Sequence, residues 1–191
     1  MSATTNHAHA KALAVAEQMK IILSAVCDKI IIAGSIRRGK SRVGDIELLY
    51  IPKRAVKPDP ADLFGKPMQI NLADAVIESL LADGILTKRL KEDGTQTWGP
   101  LIKLSTHTDS GIPVDFFSAT PENWWTLLVC RTGSADSNMA ICNAAIRLGM
   151  QWSPYEGFKD RKDEKLIFVP HSERAVFERV GLPYRKPQDR L

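Results

Sequence analysis

Between Ala33 and Ile51 the sequence reads AGSIRRGKSRVGDIELLYI: a turn, a cluster of cations, then two carboxylates opening an apolar strand. In a β-strand residues i and i+2 share a face, so Asp45 and Glu47 project side by side while Ile46, Leu48 and Tyr50 point the other way. Two acids on one face repel each other and lose solvation, and a cation between them relieves both penalties. Hard divalent ions suit that role, because Mg²⁺ takes oxygen ligands and commonly combines one or two carboxylates with substrate phosphates. Upstream, Gly34-Ser35 follows the apolar run Ile30-Ile31-Ile32. Such a turn offers backbone N–H groups and a hydroxyl to a phosphate, and Arg37, Arg38 and Lys40 can neutralise its charge.

Taken alone, either half has a plainer reading, as the solvated face of an edge strand or a solvated turn. A third carboxylate changes the balance. Residues 112–119, IPVDFFSA, form a second strand-like run whose only charge is Asp115, and an aspartate buried in a strand requires a partner.

The series G-S-x-R-R-G-K, then G-D-x-[D/E], then V-D-F resembles the palm of family X DNA polymerases, the DNA polymerase beta group of nucleotidyltransferases. Arg131-Thr132-Gly133-Ser134 with Asn138 resembles that family's segment around the incoming nucleotide, and Leu182 to Arg190 resembles its closing segment. The resemblance covers roughly residues 28–191. It implies an α+β fold: a nucleotidyltransferase palm, with a mixed β-sheet and packing helices, followed by a small C-terminal thumb. The expected division is residues 1–120 for the N-terminal helix plus palm and 121–191 for the thumb. It further implies that Asp45, Glu47 and Asp115 are catalytic and hold two Mg²⁺ ions, with Mn²⁺ as a substitute. Gly34, Ser35, Arg38, Gly44, Gly133, Ser134 and Asn138 would bind a nucleoside triphosphate, with DNA as the nucleic-acid partner. The implied reaction adds a nucleotide to a 3′-hydroxyl and releases pyrophosphate, including gap filling with loose template dependence.

Departures from the pattern are equally specific. Glu47 stands where DNA polymerase beta has an aspartate, Cys130-Arg131 replaces an aromatic pair that helps exclude ribonucleotides, and Pro113 replaces an arginine. Cys142 occupies the position of an arginine that contacts the template. With only ~28 residues ahead of the palm strand, the sequence reads as a minimal palm-plus-thumb form, without the family's lyase domain or DNA clamps. A protein partner could supply the missing grip on DNA. Two other readings are transfer to a non-DNA acceptor (RNA, protein or small molecule) and an inactive nucleic-acid-binding module. The motif from Thr132 to Asn138 and the C-terminal tail weigh against the first, the carboxylate trio against the second.

Length and composition agree with one ordinary domain or two packed subdomains: 191 residues, 44% apolar and 25% charged. A net charge of +4 favours polyanionic partners. No run reaches membrane-spanning length and the N-terminus does not read as a signal peptide, so a cytoplasmic location without membrane association is expected. Cys27, Cys130 and Cys142 are too dispersed for a disulfide framework or zinc site.

Periodicity predicts helices over 8–26 (capped near Asn6), Leu72–Ala82, Glu122–Thr132, Ala135–Leu148 and Ser172–Val180, the last capped by Ser172. Strands are expected near Ile85–Leu90, Leu101–Thr106 and Ile112–Phe117, with a hairpin turn at Glu92–Thr95. The four prolines between Pro52 and Pro67 predict a loop, Trp98 reads as core, and His171 as surface.

Overall fold

The computed structural model describes residues 6–58, 67–91 and 93–190. In chain order the first elements are β1 (His7–Ala8), α1 (His9–Ser24), β2 (Cys27–Ile32), α2 (Gly34–Arg37), β3 (Arg42–Val43), β4 (Ile46–Pro52) and β5 (Arg54–Pro58). There follow β6 (Pro67–Asn71), α3 (Leu72–Ala82), β7 (Leu86–Lys88), β8 (Ile102–His107) and β9 (Pro113–Ser118). The C-terminal part contains α4 (Trp124–Thr132), α5 (Ala135–Arg147), β10 (Met150–Ser153), β11 (Gly157–Asp160), β12 (Leu166–Phe168) and α6 (Glu173–Arg179).

The fold is α+β. A five-stranded sheet of order β2-β4-β9-β8-β7 forms the body, with β4 and β9 parallel at its centre and the other pairs antiparallel. The carboxylate-bearing strand is therefore interior, not an edge. Alternation along β4 sends Ile46, Leu48 and Tyr50 into a core shared with Ala12, Ala16, Met19 and Leu23 of α1 and Ala73 and Ile77 of α3. Leu49 packs on the opposite face with Phe117, Trp124, Leu127 and Leu128. Both faces are covered, which is why β4 reads as a nearly unbroken apolar run interrupted by Glu47. A separate core beyond α4 gathers Val129, Ile141, Met150, Trp152, Phe158, Val176 and Phe177 around the three-stranded sheet β10-β11-β12.

Local signals explain the helix starts. Asn71 Oδ1 accepts from the backbone N–H of Ala73 (2.9 Å) and Asp74 (3.2 Å), Ser134 Oγ from Ser137 (3.1 Å), and Ser172 Oγ from Ala175 (3.1 Å). The first helix differs from expectation. It begins at His9 with Ala8 as an N-cap that makes no side-chain hydrogen bond, because residues 7–8 are drawn into strand pairing with Arg42–Val43. The backbone N–H of His9 donates to Ser41 O (3.1 Å) and its Nδ1 lies 2.7 Å from Lys40 O. The segment expected to be a loop also differs: β5 and β6 form an antiparallel ribbon. Pro58 and Pro67 close its described end opposite each other, where a missing N–H costs the ladder little; residues 59–66, also within that loop reading, lie outside the described residues. Glu92 of the expected hairpin turn is outside them too.

Trp98 packs against the palm core, donates from Nε1 to Glu78 Oε1 (2.8 Å) and lies beneath Lys88. His171 is exposed and the three cysteines are unpaired. No described helix is long and apolar enough to cross a membrane.

Candidate active site

The site lies where β4 and β9 begin. Parallel pairing sets Glu47 directly beside Asp115, so equal pleat positions put both side chains on one face. Asp45 sits one residue before β4, after the bend at Gly44, and its charge acts on both carboxyls. The side chains of Glu47 and Asp115 are 16% and 9% exposed. Burial, then the charge of Asp45, pushes Glu47 up to about 8 against the opposing charges of Arg131 and Arg38. Burial likewise lifts Asp115 to about 6, although Arg89 donates a short charge-assisted hydrogen bond to its Oδ1.

The glycine–serine turn is a short helix, α2, tied to the site by a backbone hydrogen bond from Ala33 N to Glu47 O (2.8 Å). Gly34 has φ of +63°, and a Cβ there would collide with Glu47 Oε2. Only glycine fits this approach. Ser35 Oγ is buried without a partner. Arg38 Nη1 donates to the carbonyls of Thr132 (2.8 Å) and Gly133 (3.1 Å) at the C-terminus of α4, while its Nε is buried without a partner. Next to that helix end, Asn138 Nδ2 donates to Cys130 O (2.9 Å) and its Oδ1 is unpartnered. A Cβ at Gly133 would meet that Oδ1.

The fold thus gathers Gly34, Ser35, Arg38, Asp45, Glu47 and Asp115 at one end of the sheet. Gly133, Ser134 and Asn138 lie at the α4–α5 junction that Arg38 bridges. Five buried polar atoms without partners (Ser35 Oγ, Arg38 Nε, Arg89 Nε, Arg131 Nε and Asn138 Oδ1) belong to these residues and the arginines facing the carboxylates. Six further atoms of this kind, Arg190 Nη2 and Trp152 Nε1 among them, lie on other described residues, so what sets this place apart is that five gather around the carboxyl groups. Among the described residues no three His, Cys, Asp or Glu side chains are arranged to enclose a metal. The donor set nevertheless fits hard divalent ions: it is all carboxyl, and it crowds three such groups in a largely buried place where a cation between them relieves both burial and repulsion.

Sequence reasoning missed the arginines as partners. No motif marks Arg89, and Arg131 stands out only as a departure from an aromatic pair. It also missed the seam between the two halves, where Arg37 donates to both oxygens of Glu173 (2.8 Å each) and to Thr132 Oγ1 (2.7 Å). Arg190, fully buried, donates to the same Glu173 Oε1 (2.9 Å) and to Arg185 O (3.0 Å). Burial alone would raise the Glu173 carboxyl, but hydrogen bonds and charge from the two arginines hold it below its ordinary range.

Comparison with known proteins agrees with this architecture. The family described as DNA polymerase beta palm matches residues 6–119, and DNA polymerase beta thumb matches 127–191. Solved structures of Leishmania infantum polymerase beta are similar in fold at 19% identity. Its ternary P/T complex superposes with a TM-score of 0.73 over 98% of this chain and 77% of that one. Its ternary gap complex does so with 0.76 over 97% and 71%. Curated proteins yield no match. Palm and thumb matches together span both cores described above, and the chain belongs to the DNA polymerase beta family, family X, in palm-plus-thumb form.

Proposed function

We propose that this protein is a divalent-metal-dependent nucleotidyltransferase that joins a nucleotide to the 3′-hydroxyl of a DNA end with release of pyrophosphate, including filling of short gaps. The observation that carries this reading is the in-register pair Glu47 and Asp115, ringed by arginines and by buried polar atoms that lack partners. Asp45, Glu47 and Asp115 would hold Mg²⁺ or Mn²⁺, which would supply Lewis-acid stabilisation of the phosphoryl group and a more acidic attacking hydroxyl. Ser35 and Arg38 contribute donors for the triphosphate beside Gly34, and Asn138 on the thumb side meets the minor-groove edge of the incoming base. Family membership and the gap complex of a protein with similar fold support DNA as the polymer. The palm is assigned to residues 1–120 and the thumb to 121–191.

Labelled deoxynucleotides and ribonucleotides, offered with Mg²⁺ on gapped DNA, on primed RNA and without acceptor, test this reading. Extension of gapped DNA that stops on chelation is expected. Absence of extension there, or transfer only without a polynucleotide, would overturn it.

A further inference from the structure

Glu47 and Asp115 each have an arginine beside them, one following β7 and the other on α4. Arg89, just past β7, holds Asp115 by a charge-assisted hydrogen bond. Arg131 reaches in from the last turn of α4. Its guanidinium carbon lies 3.9 Å from the centre of the Phe117 ring, and Nη1 lies 3.9 Å from Glu47 Oε1, too far for a hydrogen bond. The ring contact holds the guanidinium in place, Nε is buried without a partner, and the charge acts on both Glu47 and Asp115. Arg131 is thus held by an aromatic face and a loose ion pair, with donor capacity in reserve.

The three carboxyl groups of Asp45, Glu47 and Asp115 share this place with three arginines, Arg38, Arg89 and Arg131. Divalent ions entering alone would crowd positive charge against three arginines, whereas a triphosphate, with about four negative charges, offsets two such ions. We propose that Arg131 is the counter-ion that couples cation loading to nucleotide loading: it takes the positive-charge place beside Glu47 until a triphosphate offers its planar donors a better partner. A planar guanidinium suits that exchange, since it can pair bidentately with phosphate oxygens. The inference rests on the metal-dependent transfer reading above.

The test is Mn²⁺ binding to the intact protein without nucleotide, followed by the electron paramagnetic resonance of free Mn²⁺ and repeated with a non-hydrolysable deoxynucleoside triphosphate. Arg131→Met keeps a stem over Phe117 but removes the charge; Arg131→Lys keeps the charge. Wild type and Arg131→Lys should bind Mn²⁺ weakly alone, and Arg131→Met about tenfold more tightly, within the usual range for coupled sites. The extra Mn²⁺ affinity conferred by nucleotide should shrink in Arg131→Met by the same factor, and Glu47→Gln in that background should cancel the gain. If Arg131→Met binds Mn²⁺ as wild type does while Glu47→Gln weakens binding, the coupling role falls and the carboxylate site stands. If Glu47→Gln changes Mn²⁺ binding in neither background, both readings fall.

Discussion

Glu47 and Glu173 are two largely buried glutamates in one chain, each facing arginines, and burial has opposite outcomes for them. Glu173 accepts three charge-assisted hydrogen bonds, two from Arg37 and one from Arg190, and its carboxyl stays below the ordinary range. Glu47 has only a 3.9 Å ion pair with Arg131, faces Asp45 and Asp115, and is pushed up to about 8. The glutamate given hydrogen-bond donors ties two halves of the molecule together, whereas the one without them is the candidate ligand on the reading proposed above.

The comparison is broken most forcefully at the carboxylates. Asp45→Ala and Asp115→Ala should each lower nucleotide incorporation by about 10³-fold or more, since a cation's contribution is several kcal/mol, while both variants remain folded by circular dichroism. Turnover near that of wild type in either would remove it from the site. At the seam the order reverses: Glu173→Ala leaves Arg37 and Arg190 buried without their shared acceptor and should cost about 3–5 kcal/mol of stability in urea unfolding. A loss below about 1 kcal/mol would show that water or another acceptor replaces the carboxylate.

Arg38 belongs to both regions, because it bonds the α4 carbonyls and its charge acts on Glu47. Arg38→Ala should weaken nucleotide binding by about 1.5–3 kcal/mol, the worth of a charge-assisted hydrogen bond, whereas Lys40→Ala, whose side chain is half-buried and whose charge does not act on Glu47, should do less. Isothermal titration of both variants decides the order. A pH series sharpens the contrast further. Glu47 and Asp115 are raised in the fold, so the stability they contribute is complete below their ordinary values of 4.5 and 3.8. It is lost as pH rises toward about 8 and about 6 respectively. Glu173 is lowered, so its contribution is present above 4.5 and lost as pH falls through its folded value. Metal-free melting temperatures should therefore decline between about pH 6 and 8 in wild type but not in Glu47→Gln, and Glu173→Gln should blunt the acid limb. The smallest effect is expected from Cys142→Arg, which places a cation on α5, where the thiol now packs against the thumb core. It should raise discrimination between matched and mismatched nucleotides a few-fold in single-nucleotide insertion.

Much of this arrangement was legible because it is local. Period-2 alternation placed Glu47 on its strand, Asp115 stood out as the lone charge in an apolar run, and Asn71, Ser134 and Ser172 announced three helix starts through side chains that cap nearby N–H groups. What was not legible is carried across long separations. Arg37 meets Glu173 across 136 residues and Arg89 meets Asp115 across 26, and no periodicity marks which of many arginines will turn inward. The β1–β3 pairing overrode the cap expected near Asn6 for the same reason. The ribbon β5–β6 was hidden by its prolines, which signal a loop unless the residues between them find a partner strand.

The central claim is that the crowded carboxylates, and not the satisfied ones, carry the chemistry. Single-turnover insertion of a labelled deoxynucleotide into gapped DNA with Mg²⁺ by wild type and Glu47→Gln, with metal-free melting of the same samples at pH ~8.5, above the raised Glu47 value, addresses it directly. The account predicts insertion by wild type that stops on chelation, and no detectable insertion by a Glu47→Gln protein that melts at or above the wild-type temperature. Insertion by Glu47→Gln within about tenfold of wild type would contradict it.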